Sequence, residues 1–345
     1  MKKSGLFDEY KKVGESPDMA VRAKNWGTAI GLQQVDGLTP SEYLISTAHE
    51  NIQGKITIVE VKERINSYYE TVEGKSQPSG TQEADKVAAH ISELLNDPSF
   101  DFIPTTLCAI HDRLFHDVFP EWAGNIRKVN ITKEEEILNG KTVGYGTAAL
   151  IMNSLGKKFD TEAAFNYKGL RKKEKVSNIE KFISGIWQIH PFREGNTRTI
   201  AVFTIKYLRS LGFDANNDMF ERHSKYFRNA LVRANYNDFQ NNVYATMEYL
   251  DKFFGNLLLG ENNKLDNDDL VVVPGKNNQK TTRKQPENNQ KVLDILTNNP
   301  YVSRRQISQK LGFSDEQAKG ILNKLKKQNI IRRIGPDKGG YWETI

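Results

Sequence analysis

His190-Pro191-Phe192-Arg193-Glu194-Gly195-Asn196-Thr197-Arg198-Thr199 interrupts two runs of helical periodicity, 177 to 189 and 199 to 211. A loop between helices that contains Gly and Asn turns several backbone N–H groups the same way. The helix that follows adds its N-terminal dipole, and the two together form a nest for an anion. Arg198, at the helix mouth, is placed to pair bidentately with a phosphate. Glu194 offers a carboxylate for Mg²⁺ between phosphate oxygens, and His190 is a general base near neutral pH. Base, metal ligand, nest and Arg make a minimal phosphoryl-transfer set. Taken singly, each also has a structural reading: a His before Pro caps a helix, and a Glu–Gly pair makes a turn.

Outward from this loop the chain reads as mostly α. Helices are expected from Thr81 with Ala84, Val87, Ala88, Ile91, Leu94 and Leu95 on one face, and over 104–118 with Leu107, Ile110, Leu114 and Phe115. Further helical periodicity runs through 147–155, 217–234 and 236–256. Only 126–145 breaks the rhythm. Ile126, Lys128, Asn130 and Thr132 alternate against Arg127, Val129 and Ile131, and Asn139-Gly140 is a turn signal, which predicts a small hairpin. Two short helices are expected before the core. One is capped by Thr39 with Pro40 in the first position; the other carries a Thr57–Glu60 capping box. Residues 1 to about 20 read as loosely held. Residues 260–290 are polar, with Gly, Pro and the acidic run Asp266, Asp268 and Asp269, and read as a linker in which Val271-Val272-Val273 docks as a short strand.

The loop resembles the signature of the Fic family, His-Pro-Phe-x-(Asp/Glu)-Gly-Asn-Gly-Arg-x-x-Arg, through His190, Pro191, Phe192, Glu194, Gly195, Asn196 and Arg198. Trp122-Ala123-Gly124-Asn125-Ile126-Arg127 looks like the family's segment before its substrate-binding hairpin, or flap. The resemblance covers roughly 85–256 and implies a helical core that transfers AMP from ATP, with Mg²⁺, to a hydroxyl of a protein. It implies His190 as the base, Glu194 as the metal ligand, and Arg193, Gly195, Asn196, Thr197 and Arg198 around the phosphates. It also implies a target protein docked by strand addition on the 129–145 hairpin. Two positions depart from the signature: Thr197 stands for the second Gly, and Ala201 for the second Arg, which in the family grips the γ-phosphate. Val35-Asp36-Gly37-Leu38-Thr39-Pro40 resembles the family's inhibitory antitoxin module. Asp36 stands there in the place of a Glu that pairs with the second Arg, and Leu32 in the place of a Ser. With position 201 neutral, the helix around 20–37 is left as packing or as residual inhibition. A catalytically weak or silent DNA-binding regulator remains the alternative reading.

The last 55 residues hold eleven Lys and Arg against five Asp and Glu, a balance of +6. The whole chain of 345 residues is also +6, so residues 1–290 are neutral and the excess is confined to the tail. The tail reads as helix, helix, turn, helix and hairpin, the order of a winged helix-turn-helix. Ser303 and Ser314 start its last two helices, and Lys319, Lys324, Lys326 and Lys327 lie on the exposed side of the last. This implies DNA as a partner through 291–345; such modules also mediate protein contacts and homodimers. The domains expected are therefore an antitoxin-like module over 1–70, a catalytic core over 81–260, a linker over 261–290 and a winged helix over 291–345. Hydrophobic residues at 38% suffice for a core, so global disorder is excluded. One cysteine, Cys108, excludes an intrachain disulfide framework and a Cys-based zinc site. No apolar run is long enough to span a membrane, and Asp8 and Glu9 interrupt the start before any signal-like stretch. A cytoplasmic protein is expected.

Overall fold

The computed structural model describes residues 17–215, 218–273, 289, 291–293, 295–296, 299–327, 330–336 and 340–344. The chain divides into two units, 1–278 and 279–345. The expectations for 1–16, for most of 274–290 and for the 337–339 turn lie outside the described residues.

Unit one is helical. Helix α1 (Pro17–Gly31) runs into a 3₁₀ turn (Leu32–Asp36) that Gly37 ends in a left-handed conformation, φ 70°. Next come α2 (Glu42–Ile52), α3 (Ile58–Glu70), α4 (Val72–Lys75), α5 (Thr81–Asn96) and α6 (Thr105–Phe115). After a non-helical stretch follow α7 (Ile151–Ala163), α8 (Lys172–Ile189), α9 (Asn196–Ser210), α10 (Asp218–Asn235) and α11 (Glu248–Leu258). Helix α9 is the axis: every residue from Asn196 to Leu208 is buried, as expected of a helix packed on all sides. Phe102, Phe159, Phe182, Phe203 and Tyr207 pack edge to face and offset around its middle.

The capping box of Thr57 and Glu60 forms as the spacing predicts. Thr39 does not cap α2. Ser41 does: its Oγ accepts from the Leu44 N–H at 3.0 Å and donates to Asp85 Oδ2 at 2.5 Å. Asp85, fully buried on α5, also accepts from Ser41 N–H and from the Tyr69 hydroxyl, at 2.8 and 2.7 Å. One carboxylate thus joins α2, α3 and α5. Burial pushes its pKa up, against the pull of those three donors.

Three expected elements are shifted. Residues 236–247 hold no α-helix: Asp238 bridges Val243, Phe239–Asn241 make one 3₁₀ turn, and Asn242 turns the chain at φ 54°. The helix expected at 147–155 begins at Ile151 and runs to Ala163. The 261–290 stretch is not open throughout. Leu270 and Val272 are buried, Val272 N–H donates to Ile137 O at 2.7 Å, and Asn139 Nδ2 donates to Val272 O at 2.6 Å. The Val271–Val273 piece therefore docks on the 137–139 turn as extended chain, without strand pairing.

The 126–145 segment doubles back at Asn139-Gly140, both at positive φ, and Glu135 N–H donates to Lys141 O at 3.0 Å. It forms no ladder. Its residues are committed to separate anchors, and Glu136–Leu138 close a 3₁₀ turn. Among the described residues the antiparallel pair is in unit two, where β1 (Ile331–Ile334) faces β2 (Tyr341–Thr344). That unit has its own core, from Val292 and Leu296 through Ile307, Ala318 and Leu322 to Ile331. Among its described residues 291–293 and 295–296 are helical, and two helices follow: α12 (Arg304–Leu311), boxed by Ser303 and Gln306, and α13 (Asp315–Lys327), with Gln317 N–H on Ser314 Oγ.

Candidate active site

Helix α8 ends because His190 takes a left-handed conformation, φ 52° and ψ 64°, with its N–H on Trp187 O. The structural reading of this residue as a helix cap therefore holds alongside any chemical one. Its ring is buried against Tyr145, with centroids 4.1 Å apart, and edge-on to Trp187. Nδ1 lies 3.3 Å from Trp187 O. A carbonyl only accepts, so Nδ1 carries the proton and Nε2 keeps its lone pair. Burial, then the Lys133 charge, push the pKa down to about 3 against the Trp187 bond, with Arg127 and Arg228 adding to the fall. At neutral pH His190 is an uncharged base.

Buried Arg127 holds the loop in place. Its Nε donates to His190 O at 2.7 Å and Nη1 to Val129 O at 2.7 Å, while Nη2 reaches Ile189 O and Gly146 O. Its own N–H donates to Pro191 O at 2.9 Å. His111 supports the other end. Its Nε2 donates to Glu194 O at 3.0 Å, its Nδ1 accepts from Gly124 N–H at 2.9 Å, and its ring stacks on Phe192 at 3.9 Å. Burial lowers the His111 pKa to about 4, over the opposing Glu194 bond. The sequence carries Arg127 only inside the Trp122–Arg127 segment and gives His111 no distinguishing signal. Both act on backbone groups, which leave no trace in residue spacing.

Asn196 spends its side chain on the loop: Oδ1 accepts from Phe192 N–H and Nδ2 donates to Phe192 O, both at 2.9 Å. Gly195 starts α9 at φ 72°, and a Cβ there would lie 2.4 Å from the Phe115 ring. Thr197 Oγ1 accepts from Trp187 Nε1 at 3.1 Å. Glu194 is part exposed; its Oε1 accepts from Gly195 N–H at 3.0 Å and lies 3.5 Å from Lys133 Nζ. Arg193 points away, over the Trp122 ring at 4.3 Å.

Arg198, read from the sequence as a phosphate partner, is held inside the protein in this structure. It is fully buried. Nε lies 2.8 Å from Asp36 Oδ2, Nη2 donates to Glu83 Oε1 at 2.6 Å, and Nη1 donates to Gln33 Oε1 at 3.2 Å. Nη1 and Nη2 are hydrogen-bonded, Nε meets Asp36 as an ion pair without a hydrogen bond, and the plane sits over Phe115. Asp36 thus has an arginine partner although position 201 lacks one, so the neutral Ala201 has not left the 3₁₀ turn as bare packing. Ala201 itself is buried in the main core. Lys206 and Arg209 hold the carbonyls of Leu94, Asp97 and Leu95, so neither stands in for the missing Arg.

The Lys133 Nζ lies 3.9 Å from Asp36 Oδ1, so this one cation spans the carboxylates of Asp36 and Glu194. Behind it buried Glu135 pairs with Arg228 at 2.7 Å and accepts from Tyr145 Oη at 3.1 Å. The space enclosed among His190, Glu194, Lys133, Asp36 and Arg228 is about 10 Å³, room for one water rather than a nucleotide. Unit two carries a larger groove, about 1510 Å³, lined by Arg304, Arg305, Lys319, Lys326 and Arg333 with Trp342.

No described helix is long and apolar enough to cross a membrane. The Fic/DOC family model matches residues 100–208, and a model for winged helix-turn-helix DNA-binding matches 286–332. The chain is 30% identical over 142 residues to protein adenylyltransferase VbhT of Bartonella schoenbuchensis, across 38% of this chain and 28% of that protein. It is 31% identical over 146 residues to the probable protein adenylyltransferase y4lH of Sinorhizobium fredii, across 41% of this chain and 69% of that one. Of the first relative, then, the chain spans less than a third. Among solved structures, the N-terminal FIC domain of Bep8 from Bartonella sp. 1-1C aligns with a TM-score of 0.41 at 22% identity, covering 53% of this chain and 88% of that one.

Proposed function

The chain belongs to the Fic/DOC family, and on that premise we propose that it is a protein adenylyltransferase that moves AMP from ATP to a hydroxyl side chain of a target protein. The observation that carries this reading is the neutral His190, its Nε2 unprotonated, lining the same cavity as the Glu194 carboxylate at the mouth of α9. In this reading Nε2 accepts the proton that the target hydroxyl loses as its oxygen attacks the α-phosphorus, and pyrophosphate leaves. Glu194 fits Mg²⁺ as the single protein carboxylate that such a cation takes beside phosphate oxygens, where the ion neutralises their charge. The phosphates rest on the free N–H groups of the first turn of α9. Arg198 serves as a buttress, and Asp36 restrains the site through Arg198 and Lys133 rather than through position 201. The 129–145 segment receives the target as an added strand.

The test is transfer of label from α-labelled ATP with Mg²⁺. Wild type should label itself or a target, and His190→Ala should not, while both bind ATP. Equal labelling would remove His190 as the base. No labelling by either, under conditions where ATP binds, would favour the silent regulator. A second reading concerns unit two. Its basic groove supports a nucleic-acid partner for 291–345, with affinity that falls steeply as salt rises.

A further inference from the structure

A side-chain cluster outside the catalytic loop lies where α5 meets the end of α6. His90 is on α5 and buried; His116 and Asp117 follow the last turn of α6. Each offers one ligand atom, and the three atoms lie within 4.8 Å of one another. His90 Nε2 is 3.1 Å from Asp117 Oδ1. His116 Nδ1 is 3.2 Å from Asp112 O, so that nitrogen carries the proton and Nε2 is left with its lone pair. A backbone carbonyl that fixes the tautomer in this way is the usual outer partner of a metal-binding imidazole.

We propose that His90, His116 and Asp117 form a site for a first-row transition cation, Zn²⁺ in the first instance, with a fourth position left to water. Two imidazoles and one carboxylate suit zinc, whereas Mg²⁺ and Ca²⁺ take oxygen. With bonds of about 2.0–2.2 Å, tetrahedral neighbours sit about 3.3–3.5 Å apart. The His90–Asp117 pair is already close to that spacing. His116, exposed at a helix end and with its ligand atom within 4.8 Å of the other two, closes the remainder by a small tilt of its ring about the Asp112 bond. Lys86, one turn before His90, is the competing cation. A bare His90–Asp117 ion pair would need nothing from His116, so His116 separates the two readings. The cation would tie α5, which carries Glu83 and Asp85, to α6, which carries His111 and Phe115. It would thus brace the helix whose Glu83 holds Arg198 against the helix whose His111 holds the loop, whatever reaction that loop performs.

The experiment is calorimetric titration of ZnCl₂ into the full chain after treatment with chelator, with Co²⁺ absorption as a second readout. Wild type should bind one equivalent that Mg²⁺ in excess does not displace, and should gain thermal stability from it. His116→Ala and Asp117→Asn, checked for native circular dichroism, should each weaken binding by more than the roughly 10–100-fold that loss of an outer partner alone causes. Both should lose the tetrahedral Co²⁺ spectrum. Unchanged Zn²⁺ affinity in the two variants, or no stoichiometric binding by wild type, would overturn the site.

Discussion

The two walls of the cleft are built differently. The 190–199 wall is buried and closed on itself: Arg127 and His111 hold its carbonyls, Asn196 ties Phe192 at both ends, and Gly195 lies against Phe115. The facing 128–145 wall is extended and largely exposed, with Val129 65% accessible. It is pinned at a few points, Glu135 to Arg228, Lys133 to Glu194 and Asn139 to Val272. The chemistry side is tied down along its length, and the access side is more exposed and held through Glu135, Ile137, Leu138 and Val143. This is the division expected where catalytic groups need fixed geometry and the covering segment comes from the less stable end of the structure.

The sharpest attack on this contrast is at the rigid wall. Gly195→Ala must place a Cβ against the Phe115 ring at positive φ, and it should cost about 2–4 kcal/mol of stability in urea unfolding. A cost near zero would mean that the loop yields. Next is the link between the walls. Asp36→Ala removes one of two carboxylates from buried Arg198. Glu83 remains, so the loss should stay below the roughly 3–5 kcal/mol of an orphaned buried charge. Label transfer should rise, because Lys133 is freed of one partner; a fall would reverse the restraint proposed for Asp36.

Acid probes the rigid wall more gently. His190 and His111 stay neutral in the folded state down to about 3 and about 4, whereas the unfolded chain takes up those protons below 6.5. The unfolded state then binds more protons, so stability falls as pH drops from 6.5, by up to about 1.4 kcal/mol per pH unit for each imidazole. Replacing His111 by Gln should flatten that slope, and an unchanged slope would show that His111 titrates normally. The smallest effect belongs to the exposed wall. Lys133→Ala breaks a part-exposed ion pair worth at most about 1 kcal/mol, so KM for nucleotide should change within about fivefold. A larger change concentrated in kcat would place Lys133 among the reacting groups.

The helical class, the Asn139-Gly140 turn, the box at Thr57 and the loop of His190 were legible because each is written in local spacing. The partners of Arg198 were not legible because Gln33, Asp36 and Glu83 are brought to it from other helices, and spacing near residue 198 says nothing of them. The Thr39 cap failed for the same reason: Ser41 wins through Asp85, a residue on another helix. Alternation over 126–145 marked extended chain correctly, but a ladder also needs an edge to pair with, and alternation does not supply one.

The enclosed space of about 10 Å³ has a kinetic consequence. A nucleotide cannot collide directly into a volume that holds one water, so the Lys133 wall has to swing out before the encounter. In stopped-flow mixing, the observed association rate should therefore level off at high nucleotide concentration, at the frequency of opening, instead of climbing linearly. The measured Kd should exceed that of the open form by the inverse of the open fraction. Lys133→Ala, by loosening the latch, should lift the plateau more than it alters dissociation.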